Sequence, residues 1–193
     1  MSLENLKNKR IILASGSPRR QELLKSIGVD FEVVLRSVEE VFSEDLKAHQ
    51  ISDYLAELKA TQFDDLKPND ILITGDTIVW HEGKALNKPR DDKEAYTMLK
   101  SLSNTSHQVY SSFCIKTAKT CATYHDQTDV TFRAITHDEI WHYIHTYSPY
   151  DKAGAYGIQE WIGKIGVSEI KGSFYTVMGF PIHLVYEKLS QIA

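Results

Sequence analysis

Apolar residues in this chain recur with two alternating periods. Ile11-Ile12-Leu13-Ala14 is an unbroken apolar run that predicts a short buried strand. It leads into Ser15-Gly16-Ser17. A helix follows over Pro18–Ile27, with Leu23, Leu24 and Ile27 inward and Gly28 at its C-terminal stop. Phe31–Leu35 predicts a second strand. Ile51, Leu55 and Leu58 fall at helical spacing and predict a helix over Ile51–Phe63. Ile71–Trp80 reads as a buried strand interrupted at Gly75-Asp76-Thr77. The hairpin tip His81-Glu82-Gly83-Lys84 then leads to Ala85-Leu86.

The second half continues the alternation. Ala95, Met98, Leu99 and Leu102 mark a helix over Asp91–Leu102. His107–Lys116 and Thr120–Thr123 read as paired strands, with a further strand over Val130–Arg133. Ile140, Tyr143, Ile144 and Tyr147 mark a helix over Thr136–Tyr147, opened by a capping box of Thr136 and Glu139. Ile182, Val185, Tyr186 and Leu189 mark the last helix. Strands alternating with helices predict an α/β fold with a mixed sheet, and the paired-strand middle predicts two lobes around a cleft.

The 193 residues suit one domain spanning the chain, built as two closely joined lobes. A formal net charge of −4 argues against general nucleic-acid binding, yet leaves room for a basic pocket for a small polyanion. No apolar run approaches a membrane span. The first residues carry no signal-peptide pattern, and a cytoplasmic setting is expected. Cys114 and Cys121 are too few for a disulfide scaffold. A bridge across a hairpin is open to them, but a reduced pair is the simpler reading.

Five segments carry candidate chemistry. In Ser15-Gly16-Ser17-Pro18-Arg19-Arg20, two cations sit in the first turn of a helix, where the dipole is already positive. They make sense if a phosphate completes the site, although solvated arginines on a surface helix would look the same. Asp76 breaks an apolar strand, and an isolated buried carboxylate is costly unless paired, hydrogen-bonded or metal-bound. It therefore either caps a turn or faces a polar pocket, and the resumed apolar run favours the pocket. Asn87-Lys88-Pro89-Arg90 is a basic loop that also reads as a plain helix lead-in. Tyr150–Gln159 interleaves small residues with tyrosines, which suits close backbone approach to a ligand or a tight packing turn. Glu39-Glu40 is ordinary acidic surface unless a triphosphate lies nearby, where it would hold Mg²⁺. Lys59 has no local feature that lifts it above an exposed helical lysine.

Other chemistries fail on spacing. The chain has no P-loop, no dinucleotide-binding glycine fingerprint and no Cys-x-x-Cys pair. His142 and His145 share a helix face but lack a third nearby ligand for zinc.

Together these segments resemble the Maf family of nucleoside triphosphate pyrophosphatases, in the same order and across nearly the whole chain. Ser15-Gly16-Ser17-Pro18-Arg19-Arg20 resembles the family's Ser-x-Ser-x-Arg-Arg loop. Gly75-Asp76-Thr77, Lys88-Pro89-Arg90 and Asp151–Gln159 resemble its later motifs. The resemblance implies hydrolysis of a nucleoside triphosphate to monophosphate and pyrophosphate, as a house-cleaning activity on standard or modified nucleotides. It implies an elongated, twisted mixed sheet with flanking helices, similar to inosine triphosphatase. It also implies a divalent cation, Mg²⁺ or Mn²⁺, and often a homodimer.

By the same resemblance Asp76 is the proton acceptor, with Glu40, Lys59 and Lys88 in the same site and Glu40 and Asp76 nearest the metal. Ser15, Arg19, Arg20, Thr77 and Gln159 would bind substrate. Arg19, Thr77 and Gln159 match the branch acting on dTTP and UTP rather than the 7-methyl-GTP branch. Asn87 departs from the Glu or Gly that relatives often carry there. The competing reading is a nucleotide-binding regulator of cell division without turnover, which has no use for Asp76 and Glu40 together.

Overall fold

The computed structural model describes residues 3–192. A seven-stranded mixed sheet carries helices on both faces. Its strands are β1 (Arg10–Leu13), β2 (Glu32–Val33), β3 (Asp70–His81), β4 (Lys84–Leu86), β5 (Ser106–Lys116), β6 (Cys121–Phe132) and β7 (Val167–Lys171). The order is β2-β1-β3-β5-β6-β7, with β4 attached to β3. β2, β1 and β3 run parallel, whereas β3, β5, β6 and β7 form an antiparallel ladder. The helices are α1 (Pro18–Ser26), α2 (His49–Thr61), α3 (Asp92–Leu102), α4 (His137–Tyr147), α5 (Trp161–Gly166), α6 (Phe174–Met178) and α7 (Ile182–Ser190). The expected α/β class with a mixed sheet and flanking helices is the observed one.

β3 organises the molecule because it belongs to both halves of the sheet. Successive side chains on a strand point to opposite faces. Ile71 and Ile73 pack with Leu24 of α1, Phe113 of β5 and Val185 of α7. Further along the same face, Val79 joins a second core with Leu99 of α3 and Ile144 of α4. The opposite face belongs to α2. Leu72 packs on Ala56 and Ala60, and Ile78 packs on Ile51 and Leu55. Thr74 adds a hydrogen bond to the Ala56 carbonyl at 2.6 Å.

One edge of β3 is only partly covered. β1 pairs with residues 70–73 and β4 with residues 79–81. Residues 74–78 have no strand partner on that edge, and the gap lies just beyond the carboxyl end of β1, where parallel sheets commonly bind ligands.

The local signals explain most boundaries. Thr136 and Glu139 form the expected capping box, and Asp91 caps α3 by accepting from the Glu94 amide at 2.8 Å. Gly28 takes the left-handed conformation past α1, with φ of 77°.

Four expectations are corrected. β3 is not interrupted at Gly75-Asp76-Thr77, because the ladder to β5 runs through all three residues. β6 is one strand rather than two, since its polar middle stays paired with β5 throughout. The second strand shrinks to Glu32–Val33, an exposed edge with little to bury. The helix predicted from Ile51 begins earlier, at His49.

Candidate active site

All nine residues expected at the site line one composite cleft over the open edge of β3. Its inner part is walled by Val79, Val109, Tyr156, Val177 and Met178, with Gln159 among them. Its outer part is formed by the Ser15–Arg20 loop, Glu40 and Lys59. Arg19, Arg20, Lys59 and Lys88 line both. Six cationic side chains, these four with Arg36 and Lys152, line it together with three carboxylates, Glu40, Asp76 and Asp151.

Asp76 points to the α2 face of β3, where Lys59 meets it. Lys59 Nζ lies 2.6 Å from Asp76 Oδ1 and 3.2 Å from Glu40 Oε1. The ammonium thus brings the two carboxylates onto one small volume and offsets the cost of withdrawing Asp76 from water. Hard carboxylate oxygens gathered this closely suit Mg²⁺ or Mn²⁺, so the residues present fit a divalent cation at Glu40 and Asp76.

Arg19 and Arg20 leave the same helical turn in different directions. Arg19 Nη1 reaches Asp151 at 3.0 Å. Arg20 turns inward, donating from Nε to the Gly179 carbonyl at 2.8 Å, from Nη1 to the Gly75 carbonyl at 2.9 Å and from Nη2 to Thr77 Oγ1 at 3.0 Å. Ser15 Oγ accepts a further 3.3 Å contact from Arg20 Nη1. Burial disfavours the Arg20 charge, while Asp76 and Glu40 favour it. The Thr77 hydroxyl also contacts Ser111 Oγ at 2.8 Å, so it braces Arg20 while lining the cleft. A Cβ on Gly75 would come within 2.9 Å of the Ser112 carbonyl, which is why glycine precedes Asp76.

Lys88 is exposed at the rim and forms no ion pair with another described residue. Gln159 lies deeper. Its Oε1 is buried without a hydrogen-bond partner among the described residues. Of the four buried side-chain polar atoms without a partner among the described residues, it is the one that lines the cleft. Gly157 permits this fold-back, since a Cβ there would lie 3.0 Å from Gln159 Nε2.

Sequence reasoning gave no role to the pair Asp151 and Lys152 or to Glu160. Lys152 is buried, with Nζ 2.7 Å from Asp151 Oδ1 and 3.0 Å from Glu160 Oε1. Glu160 also accepts a short hydrogen bond from Tyr143, whose hydroxyl takes the Gly157 amide at 3.0 Å. Burial works to raise the Asp151 carboxyl, but bonds from Lys152 and Arg19 hold it below its ordinary value. Gly154 seats this segment with φ of 68°, where a Cβ would press within 2.9 Å of Val79. The missed signal was a lysine set among small residues.

The two cysteines are free, Cys114 buried and Cys121 exposed, with their sulfurs 3.2 Å apart. His142 lies edge-on to Trp161 and His145 stacks on Trp141, and among the described residues neither belongs to a group of three metal-ligating side chains. Among the described residues no helix is long and apolar enough to cross a membrane.

Fold and cleft define an open-sheet α/β protein with a cationic pocket that also holds a carboxylate pair. The chain belongs to the Maf family, for the family described as Maf-like protein matches residues 10–192. A Flavobacterium johnsoniae protein described as dTTP/UTP pyrophosphatase is 51% identical over 193 residues, covering 100% of both chains. A Christiangramia forsetii protein of the same description is 47% identical, covering 100% of this chain and 98% of that one. A third, from Bacteroides fragilis, is 46% identical over 98% of this chain and 100% of its own. The solved Staphylococcus aureus Ham1 protein has a TM-score of 0.47 and 15% identity, covering 64% of this chain and 72% of that one.

Proposed function

We propose that this chain hydrolyses dTTP and UTP to the monophosphate and pyrophosphate. Full-length relatives described by that activity support the reading. The observation that carries it is the Lys59 ammonium held between Asp76 and Glu40, beside Arg19 and Lys88 in one cleft.

The chemistry follows from the groups at hand. Arg19, Lys59 and Lys88 neutralise phosphate oxygens, so that an anionic substrate and an attacking water can approach. Asp76 orients that water toward the α-phosphorus and accepts its proton. A Mg²⁺ or Mn²⁺ held by Glu40 and Asp76 would supply further charge neutralisation and polarise the phosphoryl group. Arg20 keeps the Ser15–Arg20 loop against β3, and Asp151 keeps Arg19 extended over the cleft. The apolar inner walls suit a flat base. The unpaired Gln159 Oε1 would accept the N3–H of uracil or thymine, a donor that cytosine lacks.

Incubation with dTTP or UTP and Mg²⁺, scored for pyrophosphate, tests the proposal. Wild-type protein is expected to release pyrophosphate. Asp76→Asn is expected to lose roughly 10²–10⁴-fold in kcat while the protein stays folded by circular dichroism. Binding without turnover in the wild type would favour the regulator reading, and full turnover by Asp76→Asn would remove the proton acceptor.

A further inference from the structure

We propose that His49, Asp53 and His125 form a second metal site, for a zinc-class divalent ion, on the α2 face of the sheet and apart from the cleft. His49 and Asp53 stand one turn apart on α2, and His125 comes from β6. His49 Nδ1 is 2.9 Å from Asp53 Oδ2, and His125 Nδ1 is 3.1 Å from the same oxygen. The two imidazoles stack with centroids 4.1 Å apart. The three ligand atoms all lie within 4.8 Å of one another. Tetrahedral zinc with ligand bonds of about 2.0–2.1 Å sets its ligand atoms about 3.4 Å apart, so each histidine–carboxylate spacing needs to open by only a few tenths of an ångström to admit the ion.

The carboxylate is held in place for this task. Asp53 Oδ1 accepts from Ser112 Oγ at 2.7 Å, and Ser112 Oγ contacts Ser52 Oγ, also at 2.7 Å. One oxygen is therefore anchored in the interior, and the other faces both histidines. Such supporting hydrogen bonds orient metal ligands and tune their affinity. The histidine side chains are 44% and 40% exposed, which leaves a coordination position open to solvent.

The donor set differs in kind from that of the cleft. Two imidazoles and a carboxylate select zinc, nickel, copper or iron, whereas Glu40 and Asp76 offer oxygen alone. The strand register places the two sites on one row. Asp76 pairs with Ser112, and Ser112 pairs with His125, so the cluster lies two strands across from Asp76 on the face that α2 covers. The sites share no ligand, and the proposal stands independently of the pyrophosphatase reading.

Zinc titration by calorimetry, in buffer saturated with Mg²⁺, tests the site. The expected result is one zinc equivalent that Mg²⁺ does not displace. His49→Ala combined with His125→Ala should abolish that equivalent. Ser112→Ala should weaken it about 10- to 100-fold. Asp76→Asn should leave it unchanged. Cobalt substitution should give visible absorption in the wild type and none in the double histidine variant. Circular dichroism of the variants checks the fold, and the exposed histidines can be replaced without opening the core. Absence of zinc binding in the wild type, or equal binding by a folded double histidine variant, would overturn the proposal.

Discussion

Arg20 Nη1 donates to the backbone carbonyl of Gly75 at 2.9 Å, tying the first turn of α1 to the middle of β3. The adjacent Arg19 makes its ion pair with Asp151 instead. Two neighbouring arginines thus divide the work, one bracing the loop and the other reaching over the cleft. Arg20→Lys should cost about 2–4 kcal/mol, because one ammonium cannot serve the carbonyls of Gly75 and Gly179 together with Thr77. Arg19→Ala should cost under about 1 kcal/mol of stability and act mainly on KM for dTTP. Urea midpoints and steady-state kinetics on both variants check the division, and a larger loss of stability from Arg19→Ala would reverse it.

Gln159 offers a second separation of stability from binding. Its buried Oε1 has no partner among the described residues, so Gln159→Leu removes no bond to them at that atom. The variant should melt at or above the wild-type temperature. Its KM for UTP and dTTP should rise about five- to tenfold, the size of one lost hydrogen bond. A fall in melting temperature with unchanged KM would show that the amide serves packing alone.

Glu139 is the clearest acid-sensitive group. Arg133 lies 2.7 Å from its Oε1, and the Thr136 amide donates to Oε2 at 2.8 Å. Arg133 first, then the Thr136 amide, hold the Glu139 carboxyl down at about 2. A depressed folded value means that the stabilisation is complete above the unfolded carboxylate range and is lost as pH falls toward about 2. Solvent screening leaves it at about 1 kcal/mol. Glu139→Gln should therefore be less stable than wild type at neutral pH and converge with it in strong acid. Denaturant midpoints across that range would contradict this if the gap widened as pH fell.

The cysteines should differ in reactivity. Burial first, and the contact with Cys121 next, push the Cys114 thiol up to about 12. The thiolate is the reacting form, so Cys114 should resist alkylation near pH 8 while exposed Cys121 reacts. Mass spectrometry should find a single adduct under native conditions and two in urea. Native labelling of Cys114 ahead of Cys121 would refute the assignment.

Some of this was legible because it is local. The apolar faces of α3 and α4 and their caps lie within single turns, and no distant contact is needed to read them. The strand ladder was less legible. Residues 125–127 of β6 are polar, with His125 and Gln127 exposed, so nothing in their pattern announces a strand, yet their partners on β5 hold them in one. Gly75-Asp76-Thr77 looked like a break for the same reason: pairing with β5 keeps the backbone extended there, while Lys59 answers the charge on Asp76.

The chain by itself determined which residues carry charge, the apolar faces and caps of α3 and α4, and the buried runs of β1 and β3, since periodicity and capping are properties of neighbouring residues. Only the tertiary structure decided that Arg20 turns inward, that Lys152 is buried between Asp151 and Glu160, and that two histidines converge on Asp53. Those outcomes depend on register. A shift of one residue between β3 and β5 would turn Asp76 away from α2 and Lys59, and no single segment carries the information that prevents it.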